Sequence, residues 1–285
     1  MFEKIAALLE MIKFKLTIFA MPFAFTGAFL AARGVPEFKV FFLVVLAMVG
    51  ARTSAMGFNR IVDWQFDGAN PRTSNRAIPS GAVKLKEAWL MVILAAVLFF
   101  AACAGLNLLA LMIAPFALAL TFFYSYTKRF TSLCHVVLGV ALAFSPLGGW
   151  VAVTGSFAHF PYALSLGVLF WVAGFDTIYA CLDAEFDKKE GLYSLPAVLG
   201  SEQAFFLARI FHVIAFVFFL MTGIQAHLNT FFYFGIFLAG CALWYQHHLV
   251  NPRDLSRIQM SFFSMNGFIS LAIFLATWIA LITTN

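Results

Sequence analysis

Nine apolar runs of about twenty residues dominate this chain of 285 residues and exclude most soluble folds. An α-helix of that length matches the hydrocarbon core of a bilayer. Hydrophobic residues make up 63% of the chain and charged residues 11%, which is more apolar surface than a soluble domain of this length can bury. The pattern predicts an all-α membrane protein, a nine-helix transmembrane bundle with spans near residues 16–32, 38–57, 88–107, 108–126, 133–153, 160–180, 203–224, 229–249 and 262–283.

The distribution of Lys and Arg predicts how this bundle is oriented, because cytoplasmic loops are enriched in basic residues. With nine spans the connecting segments alternate between two sides, and one side holds only Arg33 and Lys39. The other side, which includes the N-terminus, is therefore expected to be cytoplasmic. This asymmetry accounts for the net charge of +5, and the sequence contains neither a basic stripe nor a motif for nucleic acid. The basic residues on the expected cytoplasmic side are Lys4, Lys13, Lys15, Arg60, Arg72, Arg76, Lys84, Lys86, Lys128, Arg129, Lys188, Lys189, Arg253 and Arg257.

Residues 1–15 are expected to form an interfacial helix on the cytoplasmic leaflet. Apolar side chains recur there at helical spacing with charged residues between them, at Phe2, Ile5, Leu8, Leu9 and Ile12. The stretch leads into a full-length span without a small-residue cleavage pattern, so no removable signal peptide is predicted.

The first acidic segment lies within the predicted cytoplasmic segment 58–87, where an apolar run ends. Asn59, Asp63 and Asp67 are spaced by four residues, so on a helix their side chains share one face. Arg52 lies seven residues before Asn59, about two turns deeper in the membrane on the same face. A cation at that depth requires an anionic partner, either an aspartate or an acidic ligand.

A second acidic segment ends the apolar run that precedes the predicted cytoplasmic segment 181–202. Asp176, Asp183 and Asp187 are separated by seven and then four residues, which predicts a second helical stripe. Charged side chains beside a bilayer are energetically costly, so two such stripes indicate a functional site.

Basic and polar side chains on the same side are suited to binding phosphate. Arg72 and Arg76 lie in a long polar stretch and carry guanidinium groups that bind phosphate oxygens in a bidentate manner. Tyr124 and Lys128, at the end of the fourth span, form a second candidate. Alone, both groups are more typical of an ordinary positive-inside border, but an adjacent acidic stripe that can hold a metal favours phosphate.

Together these groups predict a site for a metal diphosphate. Mg²⁺ binds carboxylate and phosphate oxygens and keeps several waters, so aspartates from two helices can hold a diphosphate through it. Basic side chains would neutralise charge on a leaving diphosphate, and the apolar bundle would hold a lipid attached to it. A cation-coupled transporter is the alternative, although it would favour midplane sites on broken helices.

The two acidic segments resemble the motifs of the UbiA-type intramembrane aromatic prenyltransferases, and the resemblance covers essentially the whole chain. The family motif NDxxDxxxD corresponds to Asn59, Asp63 and Asp67, and the motif DxxYAxxDxxxD corresponds to Asp176, Tyr179, Ala180, Asp183 and Asp187. Also similar are Arg52, the RTxNRxxPSG loop from Arg72 to Gly81, and the segment with Tyr124, Lys128 and Arg129.

This resemblance implies a cytoplasmic-side active site in a bacterial inner membrane. The implied reaction moves a polyprenyl group from polyprenyl diphosphate to a small aromatic carboxylate, with Mg²⁺ as cofactor and membrane lipid around the bundle. The implied Mg²⁺ ligands are Asn59, Asp63, Asp67, Asp183 and Asp187. The implied catalytic residues are Asp63, Asp67, Asp183, Asp187 and Asp176, and the implied substrate-binding residues are Arg52, Asn59, Arg72, Arg76, Lys128, Tyr124 and Tyr179.

One residue departs from the family pattern, because Arg60 stands where many members have a second aspartate. This form, followed by Asn70 and Pro71, resembles the branch that acts on 4-hydroxybenzoate or on 1,4-dihydroxy-6-naphthoate in ubiquinone or menaquinone biosynthesis. Within that branch Arg52 is expected to bind the acceptor carboxylate, and Asp176 with Tyr179 to orient the ring or the metal shell. Transfer to haem is an alternative, but histidines near the site would then be expected.

Overall fold

The computed structural model describes residues 2–12 and 14–284, and these ranges contain helices, turns and one isolated β-bridge but no β-strand. Lys13 and the side chain of Lys15, which entered the charge argument, lie outside the described part. The helices are α1 (Phe2–Met11), α2 (Phe14–Ala32), α3 (Phe38–Val62), α4 (Trp64–Ala69), α5 (Leu85–Leu106), α6 (Leu108–Thr127), α7 (Cys134–Thr154), α8 (Tyr162–Ala180), α9 (Ala184–Lys189), α10 (Leu195–Leu199), α11 (Ser201–Gln225), α12 (Thr230–Leu249), α13 (Ile258–Met260) and α14 (Asn266–Thr284).

Seven helices in the described part of the chain are long and apolar enough to cross a membrane, judged by length and composition. They correspond to α3, α5, α6, α7, α8, α11 and α14, of which α8 and α14 include the short helical turns that adjoin them. In α2 only Met21–Ala32 enters this assessment. The last turns of α12 carry Gln246, His247 and His248, which lower its mean hydropathy. The all-α membrane class is therefore supported, and nine spans remain a prediction.

The bundle is held together by close approaches between helices that small residues permit. Helix α8 packs between α7 and α11, and α2 packs between α7 and α14. A Cβ added at Gly149 of α7 would collide with the backbone carbonyl of Ala24 in α2, and one added at Gly139 would collide with the carbonyl of Leu169 in α8. These two glycines let the backbone of α7 pack in direct contact with the backbones of α2 and α8.

The N-terminal helix ends against the first motif instead of lying free. Met11 and Ile12 are buried beside Phe58 and Ile61 of α3. Arg60 Nε donates to the carbonyl of Met11 at 3.4 Å. Part of the expected helix, Phe2–Met11, is present as α1, and its position at a membrane surface remains a prediction. The side chains of Phe2 and Ile5, which entered that expectation, lie outside the described part.

The segments 58–87 and 181–202, which were expected to be cytoplasmic motif loops, contain short helices. The first contains the end of α3, the short helix α4 and a series of turns up to α5. The second contains a 3₁₀ turn, α9 and α10. Short helices satisfy backbone groups that an open loop would leave to water, which explains the difference.

Candidate active site

The first motif keeps one helical face across the boundary between α3 and α4. The N–H of Asp63 donates to the carbonyl of Asn59 at 3.0 Å, and the N–H of Asp67 donates to the carbonyl of Asp63 at 2.8 Å. This four-residue hydrogen-bond register continues although Asp63 itself lies outside both helices. The expected common face is confirmed, and it is buried, with Asp63 and Asp67 only 4% and 6% exposed.

Asp63 is held by two cations from the end of α6. Lys128 Nζ lies 2.7 Å from Oδ2 of Asp63, and Arg129 Nη2 lies 3.0 Å from its Oδ1. Asn59 Nδ2 also donates to Asp63 Oδ2 and to Ser125 Oγ, each at 3.4 Å. The first motif and the segment that carries Lys128 are thereby joined at one end of the bundle.

Asp67 is held by the loop that follows it. Arg76 Nη1 donates to Asp67 Oδ1 at 2.6 Å, and Thr73 Oγ1 donates to the backbone carbonyl of Asp67 at 3.0 Å. Arg60 Nη1 lies 3.6 Å from Oδ2 of Asp67. That distance is too long for a hydrogen bond, and the buried Oδ2 has no hydrogen-bond partner.

The second motif was expected to form one continuous helical stripe, and this expectation is wrong. Asp176 lies in α8, Asp183 ends a 3₁₀ turn and Asp187 lies in α9. The tighter turn changes the rotation between Asp176 and the two later aspartates. Asp187 is buried and interacts with the Ser194 side chain just before α10.

Asn70 and Arg72 bring the two motifs together. Asn70 Nδ2 donates to Asp183 Oδ1 at 2.8 Å, and Arg72 forms a bidentate ion pair with the same carboxylate. The guanidinium group of Arg72 lies over the ring of Tyr179, and the two side chains also form a hydrogen bond. Burial alone would lower the pKa of Arg72, but the hydrogen bond and charge of Asp183 outweigh it and raise that pKa, so the guanidinium stays charged.

Arg52 lies apart from these ion pairs, deeper in the bundle. Its Nε is buried and has no hydrogen-bond partner. In the described part of the chain no carboxylate forms an ion pair with it. A buried guanidinium without a carboxylate partner is costly, so this position favours an acidic ligand over a structural ion pair.

One cavity of about 460 Å³ connects all of these groups. Its polar end contains the two motifs and their cations, and its walls continue through apolar residues that include Phe99, Leu118, Leu138 and Val168. The twelve residues expected to act at the site all line it, namely Arg52, Asn59, Asp63, Asp67, Arg72, Arg76, Tyr124, Lys128, Asp176, Tyr179, Asp183 and Asp187. The structure therefore brings every expected site residue to one cavity, and their individual roles remain predictions.

Comparison with known proteins identifies the family. The sequence model of the UbiA prenyltransferase family matches residues 20–272. The chain belongs to the UbiA prenyltransferase family. Family membership makes it a prenyl-transferring enzyme of the membrane.

Relatives within the UbiA family cover most of the chain. Proteins named 4-hydroxybenzoate octaprenyltransferase from Vibrio atlanticus and Yersinia enterocolitica are 28% and 29% identical to it, over 86% and 88% of this chain and 85% and 86% of theirs. The apo structure of a UbiA homolog from Aeropyrum pernix K1 is 33% identical, with a TM-score of 0.86 over 93% of this chain and 98% of that one. A UbiA homolog from Archaeoglobus fulgidus bound to GPP and Mg²⁺ is 18% identical with a TM-score of 0.70, over 95% and 99% of the two chains, and supports the fold alone.

Several residues at this UbiA-family site were not expected from the sequence. Ser125, Asn70 and Ser194 each contact a motif residue, and His135 Nδ1 lies 2.7 Å from Asp176 Oδ2. One sequence feature could have identified His135 as a site residue: it is an ionisable side chain at the start of an apolar run, and such residues in a membrane are functional candidates. Its spacing matches no carboxylate stripe, because its partner is 41 residues away in the sequence.

The carboxylates at this site are compatible with Mg²⁺ bound together with a phosphate ligand. Among the described residues, no three His, Cys, Asp or Glu side chains converge as a ready-made metal site. Mg²⁺, however, is usually held by one or two carboxylates together with waters and substrate phosphates. The donor set consists of oxygens, and Asp67 contributes a buried Oδ2 without a hydrogen-bond partner. The residues therefore fit this cation.

Proposed function

We propose that this UbiA-family enzyme transfers a polyprenyl group from polyprenyl diphosphate to the ring of an aromatic carboxylate in respiratory quinone biosynthesis. The acceptor is 4-hydroxybenzoate, on the route to ubiquinone, or 1,4-dihydroxy-6-naphthoate, on a route to menaquinone. The names of the curated relatives favour the first acceptor. The observation that carries the proposal is one cavity with carboxylates and cations at one end, apolar walls, and the buried Arg52 without a carboxylate partner.

The diphosphate would bind at the polar end of the cavity. Arg72, Arg76 and Lys128 would contact its oxygens, because guanidinium and ammonium groups form charge-assisted hydrogen bonds with phosphate. Mg²⁺ would be held by Asn59, Asp63, Asp67, Asp183 and Asp187. When bound, Mg²⁺ would help to neutralise the charge that develops on the leaving diphosphate.

The polyprenyl chain would lie along the apolar walls of the same cavity. Ionisation of the allylic carbon–oxygen bond leaves a carbocation that water would otherwise capture. Phe99, Leu118 and Val168 line this part of the cavity and offer no hydrogen-bonding groups to water. Their aromatic and aliphatic side chains would keep the reacting carbon dry until the acceptor ring attacks it.

The acceptor would bind deeper than the diphosphate motifs. Arg52 would bind its carboxylate, which would supply the anionic partner that this buried guanidinium lacks. Asp176 and Tyr179 would orient the ring so that the carbon ortho to the hydroxyl faces the allylic carbon.

Residues 1–285 would form a single domain of nine transmembrane helices in a bacterial inner membrane, with the N-terminus and the active site on the cytoplasmic side. The distribution of basic residues supports this orientation, since Arg33 and Lys39 are the exceptions to it in the connecting segments. Membrane lipid would cover the apolar outer faces of α5, α6, α11 and α12.

The test is an assay of membranes that contain the expressed protein. Polyprenyl diphosphate and Mg²⁺ are supplied with 4-hydroxybenzoate or 1,4-dihydroxy-6-naphthoate in separate reactions, and membranes without the protein serve as control. Product from one acceptor and its loss on addition of EDTA would support the proposal and assign the acceptor. Absence of product from both, with folded protein present, would refute it.

A further inference from the structure

The unexpected residue His135 lies at the start of α7 and connects two parts of the site. The ring is buried, with 3% of the residue exposed. His135 Nδ1 lies 2.7 Å from Oδ2 of Asp176 in α8. On the other side of the ring, the backbone N–H of Leu195 donates to His135 Nε2 at 3.3 Å. The imidazole therefore links the second motif to the start of α10.

These two hydrogen bonds determine the protonation state of the ring. A backbone N–H can only donate, so Nε2 of His135 must be the acceptor and carry no proton. Nδ1 must then carry the proton and donate it to the carboxylate of Asp176. The arrangement requires a neutral imidazole in the Nδ1–H tautomer and an Asp176 side chain that accepts through Oδ2.

Asp176 differs from three of the other motif carboxylates in the kind of partner it has. Asp63, Asp67 and Asp183 each form ion pairs with lysine or arginine. Asp176 is instead hydrogen-bonded by the imidazole of His135, which carries one proton in the tautomer that the Leu195 contact requires. Its negative charge is therefore less compensated, which makes it a better hydrogen-bond acceptor than a carboxylate paired with a permanent cation.

The position of Asp176 matches the depth expected for the acceptor. It precedes Asp183 by seven residues, across the last turn of α8 and the 3₁₀ turn, and Arg52 precedes Asn59 by the same number of residues in α3. Both side chains line the same cavity, as does Tyr124. A ring whose carboxylate meets Arg52 would thus have Asp176 available for a hydroxyl group.

We propose that His135 is a positioning residue that orients Asp176 so that Oδ1 accepts the hydrogen bond of the acceptor's ring hydroxyl. The proposal rests on the proposed function and deepens it. Hydrogen bonding of Oδ2 to His135 leaves Oδ1 for the substrate and prevents the carboxylate from rotating. The contact with Leu195 also fixes the backbone beside Ser194, whose side chain interacts with Asp187. His135 therefore also fixes the position of the acceptor end of the site relative to the diphosphate end.

The chemical consequence is a more nucleophilic ring. After the C–O bond to diphosphate has broken with both electrons leaving on oxygen, a π-electron pair of the ring forms the new C–C bond to the allylic carbocation. The hydroxyl proton moves to Oδ1 of Asp176, which gives a cyclic dienone. The ring C–H bond then breaks, its electron pair restores the aromatic ring, its proton passes to the released diphosphate, and Asp176 returns the first proton to the oxygen.

The test uses two substitutions that separate hydrogen bonding from volume. His135→Leu removes both hydrogen bonds. His135→Gln keeps a donor for Asp176 and an acceptor for Leu195. His212→Gln is the matched control, because His212 is also buried and hydrogen-bonded, to Trp171 and His247, but faces a separate groove.

Kinetics in the full-length enzyme provide the first readout. We expect His135→Leu to lower kcat/KM for the aromatic acceptor by at least about tenfold while the KM for polyprenyl diphosphate changes less than about twofold. His135→Gln should restore acceptor kcat/KM to within about threefold of wild type. Unchanged acceptor kinetics in His135→Leu, equal loss in both variants, or parallel changes in both substrates and in thermal stability would overturn the proposal.

A second readout is independent of turnover. Nitrogen-15 NMR of the purified enzyme should show His135 as the Nδ1–H tautomer, with a resonance that disappears in His135→Gln and persists in His212→Gln. An Nε2–H tautomer or an imidazolium would overturn the proposed role even if the enzyme is active. If wild-type enzyme forms no product from either acceptor, the proposed function fails separately, and the NMR result still decides the hydrogen bond.

Discussion

Lys128 Nζ lies 2.7 Å from Oδ2 of Asp63, and this ion pair joins the end of α6 to the end of α3. Asp63 is buried, whereas the side chain of Lys128 is 28% exposed. Arg129 completes the arrangement on the other carboxylate oxygen. The aspartate is therefore the buried partner, and the two cations remain partly hydrated. If the carboxylate of Asp63 is removed, water can still solvate both cations, so the fold should tolerate its loss.

Replacement of Asp63 by Ala should abolish prenyl transfer and leave expression nearly unchanged. The substitution removes a carboxylate expected to act on the diphosphate, while Lys128 and Arg129 can still be solvated. Product formation and membrane protein level should be measured side by side, with Asp254→Ala in an exposed loop as control. Substantial activity in Asp63→Ala would remove this residue from the catalytic set.

Replacement of Arg76 by Gln should raise the KM for polyprenyl diphosphate by about tenfold or more, because a charge-assisted contact with phosphate is lost. The KM for the aromatic acceptor should stay close to that of wild type. Steady-state kinetics with each substrate varied in turn will separate the two effects. Arg253→Gln is the control, since the Arg253 side chain is 89% exposed and pairs only at the surface with Glu202. An unchanged KM for polyprenyl diphosphate would show that Arg76 forms an ion pair with Asp67 but does not bind the diphosphate.

Replacement of Arg52 by Gln should reduce the preference for an acceptor that carries a carboxylate. Wild-type enzyme should prefer 4-hydroxybenzoate over phenol. The variant should lose about 100-fold or more of this discrimination, because it has no buried guanidinium that requires an anionic partner. Competition between the two acceptors measures the ratio directly. A ratio equal to that of wild type would assign the carboxylate to another group.

Replacement of Gly50 by Ala should destabilise the bundle. A Cβ there would lie 2.7 Å from the backbone N of Phe99 and 2.8 Å from the carbonyl oxygen of Ala95, so α3 and α5 would have to separate. We expect a cost of about 1–3 kcal/mol from overpacking. Gly148→Ala is the matched change, since its Cβ meets nothing within 4 Å and helix propensity favours Ala by about 1 kcal/mol. Thermal unfolding midpoints that rank the variants in the opposite order would contradict this account.

Helix positions were predictable from the sequence to within a few residues. The expected span 108–126 corresponds to α6 at Leu108–Thr127, and 229–249 corresponds to α12 at Thr230–Leu249. The reason is physical: a long apolar segment satisfies its backbone hydrogen bonds only by becoming helical, so the ends of apolar runs mark the ends of helices. Breaks in the helices of the acidic segments were not predictable from the spacing. The 3₁₀ turn at Cys181–Asp183 interrupts a helical stripe that the spacing alone predicted to be regular.

By itself the sequence determined the membrane class, the approximate helix positions and twelve of the residues that line the cavity, because apolar length and residue spacing are local properties of the chain. Only the tertiary structure decided which partners these residues take. Arg72 meets Asp183 across 111 residues and Leu195 meets His135 across 60 residues. No periodicity connects such positions, since contacts between helices depend on how whole backbones pack, and small residues such as Gly149 allow that packing.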